Sequence, residues 1–286
     1  MMNRPSPAVM KALKEFLEED IRSGDLTTKA IGQPMTPGTG TIFARSKAIL
    51  AGVIEIAAIA EITGLVCEVL ADEGRWVGPD EPVIRLKGPA GTLLTVERVC
   101  LNIIMRMSGI ATKVHQMTEA ARKGNPALVV AATRKTTPGF RYFEKRAVQV
   151  GGGDPHRYAL DDMVLIKNNH IAVVGGVGKA IMAARGAVSF SKKISCEVRN
   201  LKEAMEAVET GADIVLLDNF KPEDIAKVND ALTKKGWREK VILEASGGID
   251  ESNVKDYAQS GVDIVSSGAL THSYDASNFN MRLTFA

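Results

Sequence analysis

Short apolar runs alternate with helical patterns over residues 128–272, and this alternation restricts the fold more than any other feature of the sequence. Each run is almost continuously apolar, which is typical of strands that are buried on both faces. Strands that alternate with helices predict a parallel sheet. The predicted strands are 128–132, 163–166, 194–198, 213–217, 241–244 and 263–266. The predicted helices between them are 177–185, 201–210, 222–234 and 251–260.

Two architectures accommodate such a sheet. We expect an incomplete β/α barrel of six to seven parallel strands, because about 160 residues hold too few strand–helix units for a full eight-fold barrel. The alternative is an open doubly wound sheet.

The first part of the chain has a different sequence pattern. Residues 8–19 read as an amphipathic helix, and residues 38–87 alternate short apolar runs with Gly and Pro, which predicts short strands and tight turns. A helical stretch at 51–63 lies within this segment, and a long helical pattern follows at 92–123. We interpret the region as a small α+β unit that precedes the barrel.

The composition is that of an ordinary globular protein. Of 286 residues, 45% are hydrophobic and 24% are charged, which excludes disorder, collagen and coiled coil as descriptions of the chain. The length suits two domains, or one barrel with an appendage. With 36 Lys and Arg against 34 Asp and Glu, the formal net charge is +2, and 5% aromatic residues offer few stacking platforms. A non-enzymatic nucleic-acid binder is therefore the weakest alternative.

Cysteine usage favours a reducing compartment. Cys67, Cys100 and Cys196 are few, odd in number and widely spaced, which fits neither a disulfide framework nor a metal-binding pair. The first twenty residues lack the pattern of a signal peptide. The apolar stretch 49–70 contains three glutamates, so we do not expect it to span a membrane. We expect a cytoplasmic protein.

Polar residues gather where the apolar strands end. In a parallel β/α barrel the carboxyl ends of the strands share one rim, and chemistry is built there. A charge after any single strand would be unremarkable as a loop residue facing water, but six strands in succession end in this way. The residues are Thr133, Arg134, Lys135 and Thr136, then Lys167 to His170, Glu197 and Arg199, Asp218 and Asn219, Glu244 and Ser246 to Gly248, and Gly268, Thr271 and His272.

This rim combines many cations with two acids. Arg134, Lys135, Arg157 and Lys167 stand with His156 and His170, and fixed cations in a cleft indicate a polyanionic ligand. The carboxylates of Glu197 and Asp218 follow neighbouring strands, where they would hold Mg²⁺ or face a developing positive charge. The alternative is that these groups form mutual salt bridges.

Two glycine features suit phosphate binding. Ser246, Gly247 and Gly248 follow the penultimate strand and Gly268 follows the last one, and the last two loops of many barrels bind a phosphate through backbone N–H groups. The run 151–153 is either a close backbone approach to a ligand or a flexible turn. No spacing of the four histidines predicts zinc, and we take His115 as structural.

At this point the motifs resemble a known family. The segment TRKTTPGFRYFEKRAVQVGGGDPHRYALDDMVLIKNNH (133–170) is similar to the signature of quinolinate phosphoribosyltransferases. GDLTT (24–28), ERVCLNIIMRMSGIAT (97–112), CEVRNLKEA (196–204), LLDNF (216–220), EASGGI (244–249) and GVDIVSSGALTHS (261–273) agree in the same order. The resemblance covers nearly the whole chain.

The resemblance implies a type II phosphoribosyltransferase with two domains. Residues 1–112, joined by the tail 273–286, would form an N-terminal α/β sandwich, and residues 113–272 the barrel. The enzyme would be a homodimer or a higher homo-oligomer, with one subunit's sandwich domain covering its partner's barrel. It would join quinolinate to phosphoribosyl pyrophosphate (PRPP) with Mg²⁺ and no organic cofactor, giving nicotinate mononucleotide, pyrophosphate and CO₂ in the synthesis of NAD.

The resemblance also implies roles for individual residues. Arg134, Lys135, Arg157 and Lys167, with His156, would hold the two carboxylates of quinolinate, and Arg98 would come from the partner subunit. Glu197 and Asp218 would stabilise the ribosyl cation directly, or through Mg²⁺ and the ribose hydroxyls. The 5′-phosphate would be received by Ser246, Gly247, Gly248, Gly268 and His272. The expected catalytic residues are Lys135, Lys167, Glu197 and Asp218.

The chain departs from the family pattern at two positions. Asn168 stands where the family usually has an acid, and Ser195 stands where the first of two acids is common, while Glu197 keeps the second. Up to two negative charges are thus missing near the mouth, which bears on the handling of Mg²⁺.

Two other enzymes remain as alternatives. One is a sister enzyme of the same fold that acts on nicotinate or another acceptor, although a substrate with one carboxylate would not need so many cations. The other is a Schiff-base aldolase that uses Lys167.

Overall fold

The structure is a computed structural model that describes residues 4–32 and 35–285. The strands in chain order are β1 (Pro37–Ala44), β2 (Ala48–Ile49), β3 (Val66–Val69), β4 (Trp76–Val77), β5 (Pro82–Pro89), β6 (Val129–Ala131), β7 (Val164–Ile166), β8 (Ile194–Val198), β9 (Ile214–Asp218), β10 (Ile242–Ser246), β11 (Ile264–Ser266) and β12 (Phe279–Phe285). The helices are α1 (Pro7–Ile21), α2 (Leu26–Ile31), α3 (Val53–Thr63), α4 (Ala90–Arg122), α5 (Arg141–Val150), α6 (Asn168–Val174), α7 (Val177–Ala187), α8 (Leu201–Glu209), α9 (Pro222–Lys234), α10 (Val254–Ala258) and α11 (Ala269–His272).

The chain divides into two compact units. The first consists of Met1–Lys113, Thr137–Gly152 and Tyr274–Ala286, and the second of Val114–Thr136 and Gly153–Ser273. These limits lie beside the predicted boundaries at 112 and 273, but residues 137–152, which the sequence assigns to the barrel domain, group with the first unit. The reason is packing, because Phe143 of α5 lies 5.2 Å from the ring of Phe16 in α1.

The first unit is built on a four-stranded antiparallel sheet with the order β12-β1-β5-β3. The C-terminal strand β12 pairs with β1 along its length, with Ile42 opposite Met281, so the tail belongs to this sheet. The predicted helices at 8–19, 51–63 and 92–123 are confirmed as α1, α3 and α4. In α1, Val9, Leu13 and Leu17 recur every four residues and are buried, as an amphipathic helix requires.

The second unit contains a six-stranded parallel sheet with the order β6-β11-β10-β9-β8-β7. Within this sheet the strand that comes first in the chain, β6, pairs with the one that comes last, β11, and the others follow in sequence without a reversal. This order is that of a barrel with one gap, between β6 and β7, whereas a doubly wound sheet reverses its strand order. An isolated parallel bridge between Ala131 and Asp154 stands beside β6, on its free side. The expectation of an incomplete β/α barrel is confirmed.

Each predicted strand of the barrel is present within two residues of its expected limits, and 222–234 is helical over the predicted range. The barrel strands are apolar because they are buried on both faces, and all five residues of β8 are buried. Alternate residues of a strand point to opposite faces, and the residues of β8 to β10 that line the central cavity, Glu197, Leu216, Asp218, Glu244 and Ser246, follow this period of two.

None of the helices in the described parts of the chain combines the length and the apolar character that crossing a bilayer would need.

Candidate active site

A cavity of about 450 Å³ opens at the carboxyl ends of the barrel strands, within the second unit. Ten of the thirteen residues predicted to bind substrate line it, and they come from loops after β6 to β10 or from the ends of those strands. These ten are Arg134, Lys135, His156, Arg157, Lys167, Glu197, Asp218, Ser246, Gly247 and Gly248. The strand-end pattern therefore places polar groups in one concave site, as expected for a barrel rim.

Strand register sets which groups are neighbours. Across the parallel sheet Glu197 of β8 stands opposite Leu216 of β9, and Leu216 stands opposite Glu244 of β10. One level further along the strands, Asp218 stands opposite Ser246. Glu197 and Glu244 therefore lie at the same level of the sheet with β9 between them, and Asp218 of β9 lies two residues further along the strands.

Two guanidinium groups lie together at one side of the cavity. Burial lowers the pKa of Arg157, and the positive charge of Arg134 lowers it further. The Arg157 guanidinium donates to the carbonyl oxygen of Met163 at 3.0 Å, and the buried Nε of Arg134 has no hydrogen-bond partner among the described residues. Like charges held side by side are stabilised by an anion, so the pair offers the charge and the hydrogen-bond donors that suit a carboxylate or a phosphate.

Glu197 is held by two consecutive residues of the β7–α6 junction. The Lys167 Nζ lies 3.4 Å from Glu197 Oε2, and the Asn168 amide donates to Glu197 Oε1 at 2.5 Å. At this position an acid would oppose Glu197, whereas Asn168 supplies a donor to it. The other departure, Ser195, is fully buried, and its hydroxyl has no partner among the described residues.

Gly268 and His272, which do not line the cavity, lie directly behind Lys135. A Cβ added at Gly268 would be 2.6 Å from the Lys135 side chain and 2.9 Å from His272 Nε2. The Thr271 hydroxyl donates to the Lys135 carbonyl oxygen at 2.7 Å. The third predicted residue outside the cavity, Arg98, lies in α4 within the first unit.

The loops after β9 and β10 pack closely against each other at Gly247. Gly247 has a φ of 105°, and a Cβ at this position would lie 2.2 Å from the Asn219 side-chain oxygen. Asn219 itself has a φ of 58° and donates its N–H to the Ser246 carbonyl oxygen at 2.8 Å. Backbone conformations of this kind cluster at functional sites, and only glycine allows this close approach.

Some residues have roles that the sequence did not suggest. His170, predicted as a rim residue, accepts a hydrogen bond from the Lys167 N–H at 2.9 Å and so caps the start of α6. Asn219 and Glu244, which the sequence places at the rim without a role in binding, also line the cavity, as does Ser266, which the sequence predicts only as part of a strand. The signal for Glu244 was available, because it precedes Ser246 by two residues in the same strand and so faces the same side.

No group of three or more metal-binding side chains occurs in the parts of the chain that the structure describes. Glu197 and Asp218 nevertheless line the same cavity and provide carboxylate oxygens, which Mg²⁺ prefers. Mg²⁺ typically takes one or two carboxylates and completes its coordination with substrate phosphates and water. The residues present therefore fit an ion that arrives with a phosphorylated substrate.

The incomplete β/α barrel with a cationic cavity at its strand ends defines an enzyme that takes polyanionic small molecules. Comparison with known families agrees and is more specific. The profile of the quinolinate phosphoribosyl transferase N-terminal domain matches residues 25–108, and that of the C-terminal domain matches residues 110–282. The chain belongs to the quinolinate phosphoribosyl transferase family.

Similar proteins come from distant organisms. The chain is 46% identical over 242 residues to the probable nicotinate-nucleotide pyrophosphorylase (carboxylating) of Archaeoglobus fulgidus, covering 85% of this chain and 93% of that protein. It is 41% identical over 280 residues to the human nicotinate-nucleotide pyrophosphorylase (carboxylating), covering 97% and 92%. The crystal structure of NadC from Streptococcus pyogenes superposes with a TM-score of 0.92 at 35% identity and 99% coverage of both chains.

Proposed function

We propose that this protein transfers the phosphoribosyl group of PRPP to quinolinate and releases CO₂, giving nicotinate mononucleotide and pyrophosphate. The observation that carries the proposal is the cavity, whose lining brings the cations Arg134, Lys135, Arg157 and Lys167 together with the carboxylates of Glu197 and Asp218 at the barrel mouth. Both substrates are polyanions, and family membership supports the choice of quinolinate and PRPP. The product is a precursor of NAD.

The cations suit a dicarboxylate. Arg134 and Arg157 would bind one carboxylate of quinolinate through their adjacent guanidinium groups, and Lys135 and Lys167 would neutralise the second. His156 stands beside this group at the cavity wall. Arg98 would complete the site from a partner subunit, as the family resemblance implies.

Glu197 and Asp218 would act at the ribose. As pyrophosphate leaves, positive charge develops on the ribosyl ring, and carboxylates fixed nearby stabilise it. The Lys167 and Asn168 contacts hold the Glu197 carboxylate in one orientation, so little reorganisation is needed when the charge forms. Glu197 and Asp218 are also the residues that would hold Mg²⁺, which when bound supplies positive charge for the leaving pyrophosphate.

The backbone of the last two loops would receive the 5′-phosphate. Ser246, Gly247 and Gly248 line the cavity, and Gly268 and His272 lie behind Lys135. Once the pyridine nitrogen carries the ribose, the ring withdraws electrons and the adjacent carboxylate leaves as CO₂. The protein then needs to position and desolvate the substrates, and a covalent nucleophile is not required.

We further propose that the enzyme is cytoplasmic and works as a homodimer or a higher homo-oligomer. Support for the location comes from Cys67, Cys100 and Cys196, which all carry free thiols, as is usual in a reducing compartment. Support for the oligomer comes from the family resemblance at Arg98.

A product assay tests the function. Purified protein would receive PRPP and Mg²⁺ with either quinolinate or nicotinate, and nicotinate mononucleotide and CO₂ would be followed. We expect nicotinate mononucleotide from quinolinate, with one CO₂ per product, and none from nicotinate. Product from nicotinate alone would indicate a sister enzyme, and Asn168 and Ser195 would be the first positions to exchange.

A further inference from the structure

Glu244 is an acid in the barrel for which the proposed function has no use. It lies in β10, lines the cavity, and is 1% exposed. Its Oε1 accepts a hydrogen bond from the Ser266 hydroxyl at 2.6 Å, and its Oε2 lies 3.4 Å from His156 Nε2. A buried carboxylate is costly unless it is well partnered, so its contacts indicate what it does.

Both ring nitrogens of His156, which contacts Glu244, have hydrogen-bond partners. Its Nδ1 accepts the backbone N–H of Arg157 at 2.8 Å, so Nδ1 carries no proton. The ring proton of the neutral imidazole is then on Nε2, which faces the Glu244 carboxylate. The backbone of His156 has a φ of 53°, and its backbone N–H donates to the Asp154 side chain at 2.6 Å. A non-glycine residue keeps such a conformation only where surrounding contacts impose it.

The next residue, Arg157, is one of the two adjacent guanidinium groups of the cavity. Its backbone N–H is fixed by the His156 ring, and its guanidinium by the Met163 carbonyl oxygen. The chain of contacts thus runs from Ser266 through Glu244 and His156 to Arg157.

We propose that Glu244 is a positioning residue for the quinolinate site: its carboxylate holds His156 in the Nε2–H form, and His156 in turn fixes the Arg157 backbone and so the aim of the guanidinium. This inference rests on the proposed function for the identity of the ligand. His156, which the family resemblance suggests as a contact of the substrate carboxylates, then acts through Arg157. Burial and the charge of Arg134 lower the Arg157 pKa, and the negative charges of Asp162 and, to a smaller extent, Glu244 oppose this.

The test compares Glu244→Gln with the wild-type protein by two measurements. Nitrogen-15 NMR of labelled histidine reports which ring nitrogen carries the proton, and with four histidines in the chain the His156 signal can be assigned by single substitution. We expect a defined Nε2–H tautomer in the wild type and a mixture of tautomers in Glu244→Gln. By calorimetry we expect the Kd of quinolinate to rise about tenfold and that of PRPP to stay unchanged, as fits the loss of one charge-assisted contact.

Two further variants keep the test decisive. Ser266→Ala removes the hydrogen bond that Glu244 accepts from Ser266 but keeps the charge of Glu244. We expect a smaller change in the same direction, and this variant replaces Glu244→Gln as the test if Glu244→Gln folds poorly. Glu206→Gln, which alters an acid bonded to the Gly178 N–H, should change neither measurement. An unaltered His156 tautomer in Glu244→Gln, or equal weakening of both substrates, would overturn the proposal. Wild-type protein that binds no quinolinate would instead count against the proposed function, while the tautomer measurement still stands.

Discussion

Buried carboxylates in this protein differ in how many hydrogen bonds they accept, and Glu55 of the first unit accepts none from the described residues. It is fully buried in α3, and neither of its oxygens has a hydrogen-bond partner in the described residues. Arg146 Nε lies 3.2 Å from Glu55, but the Arg146 guanidinium is hydrogen-bonded to Glu73. Burial raises the pKa of Glu55 to about 7, and the Glu73 charge adds to this while Arg146 opposes it.

This pKa predicts a pH-dependent stability. The pKa rises from 4.5 in the unfolded chain to about 7 on folding, so the native state binds more protons between these values. The free energy of unfolding should fall as pH rises from about 4.5 to 7, by up to about 3 kcal/mol, and then level off. Glu55→Gln removes the titrating group and should flatten this part of the profile. Urea unfolding at a series of pH values measures it, and parallel profiles for variant and wild type would contradict the prediction.

The cations of the cavity should matter for turnover far more than for folding. We expect Arg134→Ala and Lys167→Ala each to reduce kcat/KM by at least about a hundredfold, because each removes a charge that faces a polyanionic substrate. Circular dichroism should remain that of the wild type. Lys227→Ala is the matched control, since Lys227 is an exposed lysine of α9 that forms a salt bridge with Asp224 and does not line the cavity. Loss of folding in the first two variants would show that these residues are structural.

Among elements, strands were easier to predict than short helices. A barrel strand is buried on both faces, so its apolar run marks both of its ends, as in β8. Helix α6 was not predicted, because its first residues are polar and were assigned to the rim, and none of its residues is buried. The cap of α6 by His170 depends on a side-chain orientation that sequence spacing does not give. Cavity residues at strand ends were predictable for the same reason as the strands.

The close packing of the loops after β9 and β10 gives a prediction at this scale. In Gly247→Ala the new Cβ would meet the Asn219 side chain at 2.2 Å, and the φ of 105° would be strained. The two loops must therefore separate, and we expect PRPP binding to weaken at least tenfold. Gly186→Ala is the control, because nothing lies within 4 Å of a Cβ there, and it should keep full activity with equal or slightly higher stability. Unaltered PRPP affinity in Gly247→Ala would exclude these loops from phosphate binding.

At the scale of the whole molecule, the sequence predicted two units but not which unit contains each segment. Residues 137–152 continue directly from the barrel motif, and nothing in their pattern marks a change. Their assignment depends on aromatic packing between Phe16, Phe140 and Phe143, which joins α1 to a segment more than a hundred residues later in the chain. Contacts of that separation are invisible to local periodicity.

A subunit-mixing experiment tests the shared site. If each site takes Arg98 from one subunit and Lys167 from the other, a heterodimer of Arg98→Ala and Lys167→Ala has one intact site. Random mixing of the two inactive proteins should then restore about a quarter of the wild-type activity. Arg134→Ala mixed with Lys167→Ala is the control, because both residues line the same cavity, and it should stay inactive. Absence of any recovery in confirmed Arg98 and Lys167 heterodimers would indicate that sites are not shared.

The pairing of β1 with β12 has a consequence for synthesis. Strand β1 leaves the ribosome long before its neighbour β12, because Gly38 of β1 is paired with Phe285, more than two hundred residues later in the chain. Until β12 has been synthesised, β1 has an unpaired edge of the kind that recruits other strands. Because formation of this contact must close a loop of most of the chain, it is also entropically expensive and slow. A chain truncated before β12 would keep that edge open permanently, so loss of β12 should cause aggregation even though β12 belongs to the first unit and not to the barrel.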